Sequence, residues 1–158
     1  MRDLLLIGLG NDARGDDAAG LEVARRLRGA PGVHVMELGG DPLALLDAWD
    51  GASSVVVVDA VRSGAPAGTV HRLDAREAPL SAALGGASST HAVGLADAIE
   101  LARALGRLPE RLVVLGIEGR RFGSGDRPSP EVVEAIERVS RSLSARRPRA
   151  ATAARPRR

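Results

Sequence analysis

Apolar positions along the chain follow two periods, and each change of period marks an element. Asp3 to Leu9 is a short apolar run ending in Gly8-Leu9-Gly10, the pattern of a buried strand meeting a loop. From about Asp17 to Leu27 the spacing becomes helical, with Leu21, Val23, Ala24 and Leu27 on one stripe and Glu22, Arg25 and Arg26 outside it. Pro31-Gly32 is a turn, Val33 to Leu38 a second strand, and Gly39-Gly40 a break. Asp41-Pro42 then starts a helix, with Asp at the N-cap and Pro at the first helical position. It runs to about Trp49, with Leu43, Leu45 and Leu46 facing the core and Trp49 buried beside them. Val55 to Val58, four valines ending at Asp59, is apolar on both faces and suits the centre of a parallel sheet. Thr69 to Leu73 is a further strand. Ser88-Ser89-Thr90 precedes an amphipathic helix from about His91 to Leu105. Arg111 to Ile117 is another strand, and Ser129-Pro130-Glu131 caps a last helix reaching about Leu143.

Strands alternating with helices predict an α/β fold of three layers: a twisted, mostly parallel sheet of about five strands with helices on both faces. Residues 1–144 form one domain, and 145–158 read as a disordered Arg-rich tail. The only aromatic residues are Trp49 and Phe122, so the core is aliphatic. The sequence pI of 10.7 suggests a nucleic-acid partner, but the charge distribution opposes it. Six of the 22 basic residues lie in positions 146–158, and the remaining 16 face 20 acids, a net charge of −4. The basicity belongs to the tail, and no nucleic-acid partner is expected. The lack of cysteine excludes disulfides, thiolate nucleophiles and cysteine-ligated metals. The N-terminal apolar run is too short for a secretory segment, and no stretch is long enough to span a membrane. A cytoplasmic monomer without membrane contact is the expectation.

In open parallel sheets, ligands bind beyond the carboxyl ends of the strands, so chemistry is sought there. The first such loop, Gly8 to Gly20, carries Asn11, Asp16 and Asp17. The valine strand ends at Asp59, and the long helix begins at His91. Two carboxylates and an imidazole, distant in sequence, thus converge on one edge, a donor set suited to nickel or zinc. Each residue also has a structural reading. Asp16 and Asp17 sit where acids favour a helix dipole, and capping accounts for one of them. Asp59 lies near the apolar interior, which is costly unless it is paired or metal-bound. His91 alone reads equally well as an early-helix residue. His34 and His71 lie within strands, away from strand-end loops, and read as structural.

Gly10-Asn11 followed by Gly15-Asp16-Asp17 and Gly20, then Val57-Val58-Asp59-Ala60, Ser89-Thr90-His91 with Gly94-Leu95, and Leu115-Gly116-Ile117-Glu118, resembles the hydrogenase maturation endopeptidases over residues 3–143. The resemblance implies an endopeptidase that removes the C-terminal extension of a nickel-loaded hydrogenase large-subunit precursor, its partner. It places the metal-contacting and catalytic positions on Asp17, Asp59 and His91, leaving Asp16 as the cap. The nickel is implied to be supplied by the substrate, although another divalent metal could occupy the site. Water would be activated by the metal or by a carboxylate acting as general base. Asn11, Gly39, Gly40 and Asp41 are expected to touch substrate. At that loop Leu38 and Asp41 replace the acid and the threonine that many relatives carry, with Glu37 or Asp41 as steric substitutes.

Two other classes compete. Gly8-x-Gly10-x-x-Ala13, with Glu37 placed for a ribose, fits a relaxed dinucleotide fingerprint. However, Asp16 and Asp17 would set two negative charges where a pyrophosphate needs a helix N-terminus. The other rival is a non-catalytic protein: a divergent relative, or one whose Arg tail binds an acidic partner. No Gly-x-Ser-x-Gly elbow supports a serine hydrolase.

Overall fold

A computed structural model describes residues 3–80 and 90–145, with only the backbone of 90–93. The Arg-rich tail from 146 onward and Ser88-Ser89 lie outside the described residues. Five strands form one sheet: β1 (Leu4–Leu9), β2 (Val33–Leu38), β3 (Ser54–Val61), β4 (Val70–Asp74) and β5 (Arg111–Glu118). Their spatial order is β2-β1-β3-β5-β4, all parallel except β4, which runs antiparallel to β5. A 3-10 turn (Gly15–Ala18) leads into α1 (Ala19–Arg26). The other helices are α2 (Pro42–Trp49), α3 (Thr90–Ala104) and α4 (Pro130–Ala145).

The valine run divides the core as strand alternation requires. Val56 and Val58 pack with Val23 and Leu27 of α1 and Val132, Ile136 and Val139 of α4. Val55 and Val57 pack with Leu45, Leu46 and Trp49 of α2 and Leu95 and Ile99 of α3. The expected three-layer α/β architecture is therefore present.

Four details differ from the sequence reading. β3 continues past Asp59 to Val61, so Asp59 lies inside the strand, paired with Gly116 of β5. The Ala60-Val61 pair is as apolar as the valines before it, so pairing simply continues. The first helix opens with a tight 3-10 turn, and neither helical segment there is capped by a side chain. Leu43 is 65% exposed, while Leu45, Leu46 and Trp49 are buried. The first turn of α2 therefore faces outward, and the apolar stripe begins one turn later. Finally, β4 is antiparallel, which brings its first residues to the edge where the parallel strands end.

That edge is built on close backbone contact. A Cβ at Gly20 would stand 2.2 Å from the Val58 carbonyl and 2.3 Å from that of Leu9, and one at Gly10 would stand 2.1 Å from the Asp17 carbonyl. The missing side chains let the start of α1 lie directly on β1 and β3. Gly94 of α3 similarly rests on the loop after β2, where its Cβ would meet the Gly40 carbonyl at 2.0 Å. Gly40 itself has φ of +88°, a conformation that glycine adopts without penalty. A Gly20→Ala variant should lose about 1–3 kcal/mol of stability, because both obstructing atoms are backbone. Chemical denaturation measures this, and a loss within about 0.5 kcal/mol, the level of a neutral surface change, would contradict the packing account.

Candidate active site

The loop after β1 closes on itself before it reaches the acids. Asn11 donates its backbone N–H to the Asp17 carbonyl at 3.2 Å and accepts from Ala13 N on its side-chain oxygen at 2.9 Å. These bonds hold the 3-10 turn, which packs against β3. Asp17, on that turn, is 4% exposed, and Asp59, within β3, is 1% exposed. Alternation places Asp59 on the same face as Val57 and Val61, both in the cluster packed under α2 and α3. The fold thus puts Asp17 and Asp59 on touching elements at one edge.

His91 is the second residue of α3, the helix that covers this face, and its side chain lies outside the described residues. Three residues after His91, Gly94 packs against Gly40 and the start of α2 at Pro42. The Asp41 carboxylate accepts from Leu43 N at 2.9 Å, so it caps α2 as the sequence suggested. Among the described residues, no three His, Asp or Glu side chains gather closely enough to hold a metal.

Asp16 is fully buried and caps neither of its own helical segments. One carboxylate oxygen accepts from Arg120 N at 2.7 Å, Arg121 N at 2.8 Å and Ser129 Oγ at 2.6 Å. The other accepts from Ser129 N at 2.5 Å. Asp16 N donates in return to the Arg121 carbonyl at 2.7 Å. Burial by itself would raise the Asp16 carboxyl. The hydrogen bonds from Arg121, Ser129 and Arg120 outweigh it and hold the group below its usual value. Asp16 is therefore structural, but not as the cap of its own helix: its partners lie more than a hundred positions away, in the loop after β5 and at Ser129 just before α4.

A second buried acid, Glu118, stands at the end of β5. It accepts from Ser63 N at 2.7 Å, Ser63 Oγ at 3.0 Å and Ala65 N at 3.0 Å, and is 1% exposed. It therefore ties down the segment after β3. His71 Nε2 lies 3.5 Å from it. His71 pairs with Gly116, the residue opposite Asp59, so it belongs to the edge from which the sequence reading excluded it. An acid directly after an apolar strand, the same signal that singled out Asp59, would have found Glu118.

Glu37 carries no free carboxylate for a ribose or a substrate. Arg25 holds it at 2.7 Å, and Arg28 also donates to it. Gly8 and Gly10 are likewise used for packing, since a Cβ on Gly8 would reach the Gly20 carbonyl at 2.4 Å. The glycine pattern serves close helix–strand contact, and this weighs against a dinucleotide.

Comparison with known proteins agrees with this geometry. The family model described as HycI, hydrogenase maturation protease, matches residues 20–145. The hydrogenase expression/formation protein HupD of Thiocapsa roseopersicina is 30% identical over 145 residues, covering 85% of this chain. The chain spans 65% of the length of that curated relative. Among solved structures, the hydrogenase maturating endopeptidase HybD from E. coli aligns with a TM-score of 0.76 and 26% identity, covering 90% of each chain. The [NiFe] hydrogenase maturation protease HybD from Thermococcus kodakarensis aligns with a TM-score of 0.73 and 28% identity, over 92% of this chain and 98% of that one.

Replacing Asp16 by Asn should cost about 2–3 kcal/mol, because four donors would lose a charged acceptor. Its lowered carboxyl contributes stability that is present above the ordinary carboxylate value and lost as pH falls through the folded one. Asp16→Asn should accordingly unfold with a flatter acid limb than wild type when melting is followed from neutral pH downward. Identical acid limbs would refute this assignment.

Proposed function

This chain belongs to the hydrogenase maturation protease family, and we propose that it is an endopeptidase that removes the C-terminal extension of a nickel-loaded hydrogenase large-subunit precursor. The observation that carries the reading is the placement of two buried carboxylates, Asp17 and Asp59, on touching elements at the carboxyl edge. Carboxylate oxygens brought together at a strand edge are suited to meeting a divalent cation delivered by a substrate.

The nickel is part of the substrate. Asp17 and Asp59 offer oxygen ligands and His91, at the start of α3, an imidazole nitrogen, a mixed set suited to nickel. Their contact with the metal fixes the register of the precursor, so the bond to be cut arrives in one position. The metal, when bound, would polarise the adjacent carbonyl. One of the two carboxylates takes a proton from the attacking water as general base and passes it to the departing amine as the C–N bond breaks. A precursor without nickel has nothing to register, so the reaction tests metallation before cutting. Asn11 and the Gly39-Gly40-Asp41 segment flank the cleft and present backbone to the extended substrate. The enzyme is read as a cytoplasmic monomer that needs neither nucleic acid nor membrane. No helix among the described residues is long and apolar enough to cross a membrane.

The test is cleavage of the nickel-loaded precursor, followed by intact mass. Wild type should release one C-terminal peptide, and metal-free precursor should stay whole. Asp17→Asn, Asp59→Asn and His91→Ala should each slow release by about 100-fold or more while remaining folded. Unchanged rates in Asp17→Asn and Asp59→Asn, or no cleavage under any metal condition, would defeat the proposal and leave a divergent relative that has kept the fold.

A further inference from the structure

The loops after β1, β3 and β5 meet at Phe122. Arg14 Nε donates to the Phe122 carbonyl at 3.2 Å, and the Arg62 guanidinium lies 4.6 Å above the Phe122 ring centroid. Arg121, next in the chain, is exposed, as are Arg14 and Arg62. Among the described residues, none of these three guanidiniums lies within ion-pair distance of a carboxylate. The acids nearby are already engaged. Asp12 is held by Arg25 at 2.7 Å, Asp126 accepts from Gly123 N at 2.8 Å, and Glu131 pairs with Arg120 at 3.2 Å. Asp16 is buried beneath the loops.

The platform is rigid. Gly125 N donates to the Ala13 carbonyl at 2.8 Å, Asp16 bonds both Arg120 N and Arg121 N, and Gly119 N donates to the Val61 carbonyl at 2.9 Å. An arginine stacked on a ring, or anchored through Nε, keeps its terminal N–H groups free in a fixed direction. It loses little further freedom on taking a carboxylate in a bidentate bond. Excess positive charge also stands out on a body whose net charge, apart from the tail, is −4.

We propose that Arg14 and Arg62, mounted on Phe122, form a docking surface for a carboxylate-rich polypeptide segment approaching the carboxyl edge. Placing that segment on the precursor rests on the function proposed above, whereas the capture of acidic peptide does not. A peptide fits better than nucleic acid, because the one aromatic ring on the rim is already covered by Arg62 and offers no stacking face.

The experiment uses the full-length protein and a hexaglutamate peptide bearing a photo-crosslinker, with labelled sites mapped by mass spectrometry. Wild type should be labelled within 62–66 and 120–127, and the labelling should fade as salt is raised to about 0.5 M. Arg14→Gln/Arg62→Gln should reduce rim labelling at least about fivefold, and Arg14→Lys/Arg62→Lys should restore only part of it, since the charge is retained but the bidentate fork and the stacked plane are lost. Labelling unchanged by the Gln pair, labelling confined to 146–158, or stronger labelling by a decathymidylate probe would each overturn the proposal. An uncut precursor with rim labelling intact counts against the peptidase reading and for the docking surface. Cleavage with rim labelling indifferent to the Gln pair counts the other way.

Discussion

The Asp16 carboxylate holds the carboxyl edge together. Its two oxygens take four hydrogen bonds from the loop after β5 and from the first residue before α4, with no solvent in reach. A carboxylate buried without donors would be intolerable, and donors of this kind without an acceptor would be nearly as costly. The arrangement is therefore all or nothing. It fixes the turn that carries Asp17, because Asp16 and Asp17 are adjacent on one tight helical turn. The position of a candidate ligand is thus set by a neighbour that has no chemical role of its own.

Beneath that tie lies a second constraint, the near absence of space between α1 and the sheet. Gly8, Gly10 and Gly20 remove three side chains where helix and strands would otherwise collide. Backbone lies on backbone, and the short distance carries the 3-10 turn onto β3, where Asp59 is buried. On the opposite face, Gly94 against Gly40 brings α3 to the loop after β2 in the same manner. The carboxyl edge is thus framed by glycine contacts, with Glu118 and Asp16 holding down the loops between them.

Much of this was legible in the residues. Four valines followed by an acid gave the central strand. Asp41-Pro42 gave the start of α2, and the Asp41 carboxylate makes the expected capping bond. Local patterns report most of the local structure, and the larger misses are non-local. Asp16 looked like a cap because acids belong near helix starts, yet it caps from a distance a helix that begins at Pro130. The direction of β4 depends on which strand it joins, which periodicity does not encode, so the sequence alone does not bring His71 to the edge where the parallel strands end. The apolar type of Leu43 predicts an inward side chain, but its position on the first turn of α2 leaves it exposed. Asp17 and Asp59 stand out as candidates by sequence order and type. What the fold adds is that the elements bearing them touch.

The bond between Ser129 and Asp16 spans 113 residues of chain. Contacts so far apart in sequence form late, after the loop between them has been closed at an entropic cost. During synthesis the turn bearing Asp17 leaves the ribosome long before its partners exist, and a buried acid without donors will not hold that turn. An incomplete chain therefore has strands and helices but no assembled edge. The edge that carries Asp17 is therefore among the last parts of the molecule to assemble, because it waits for Ser129.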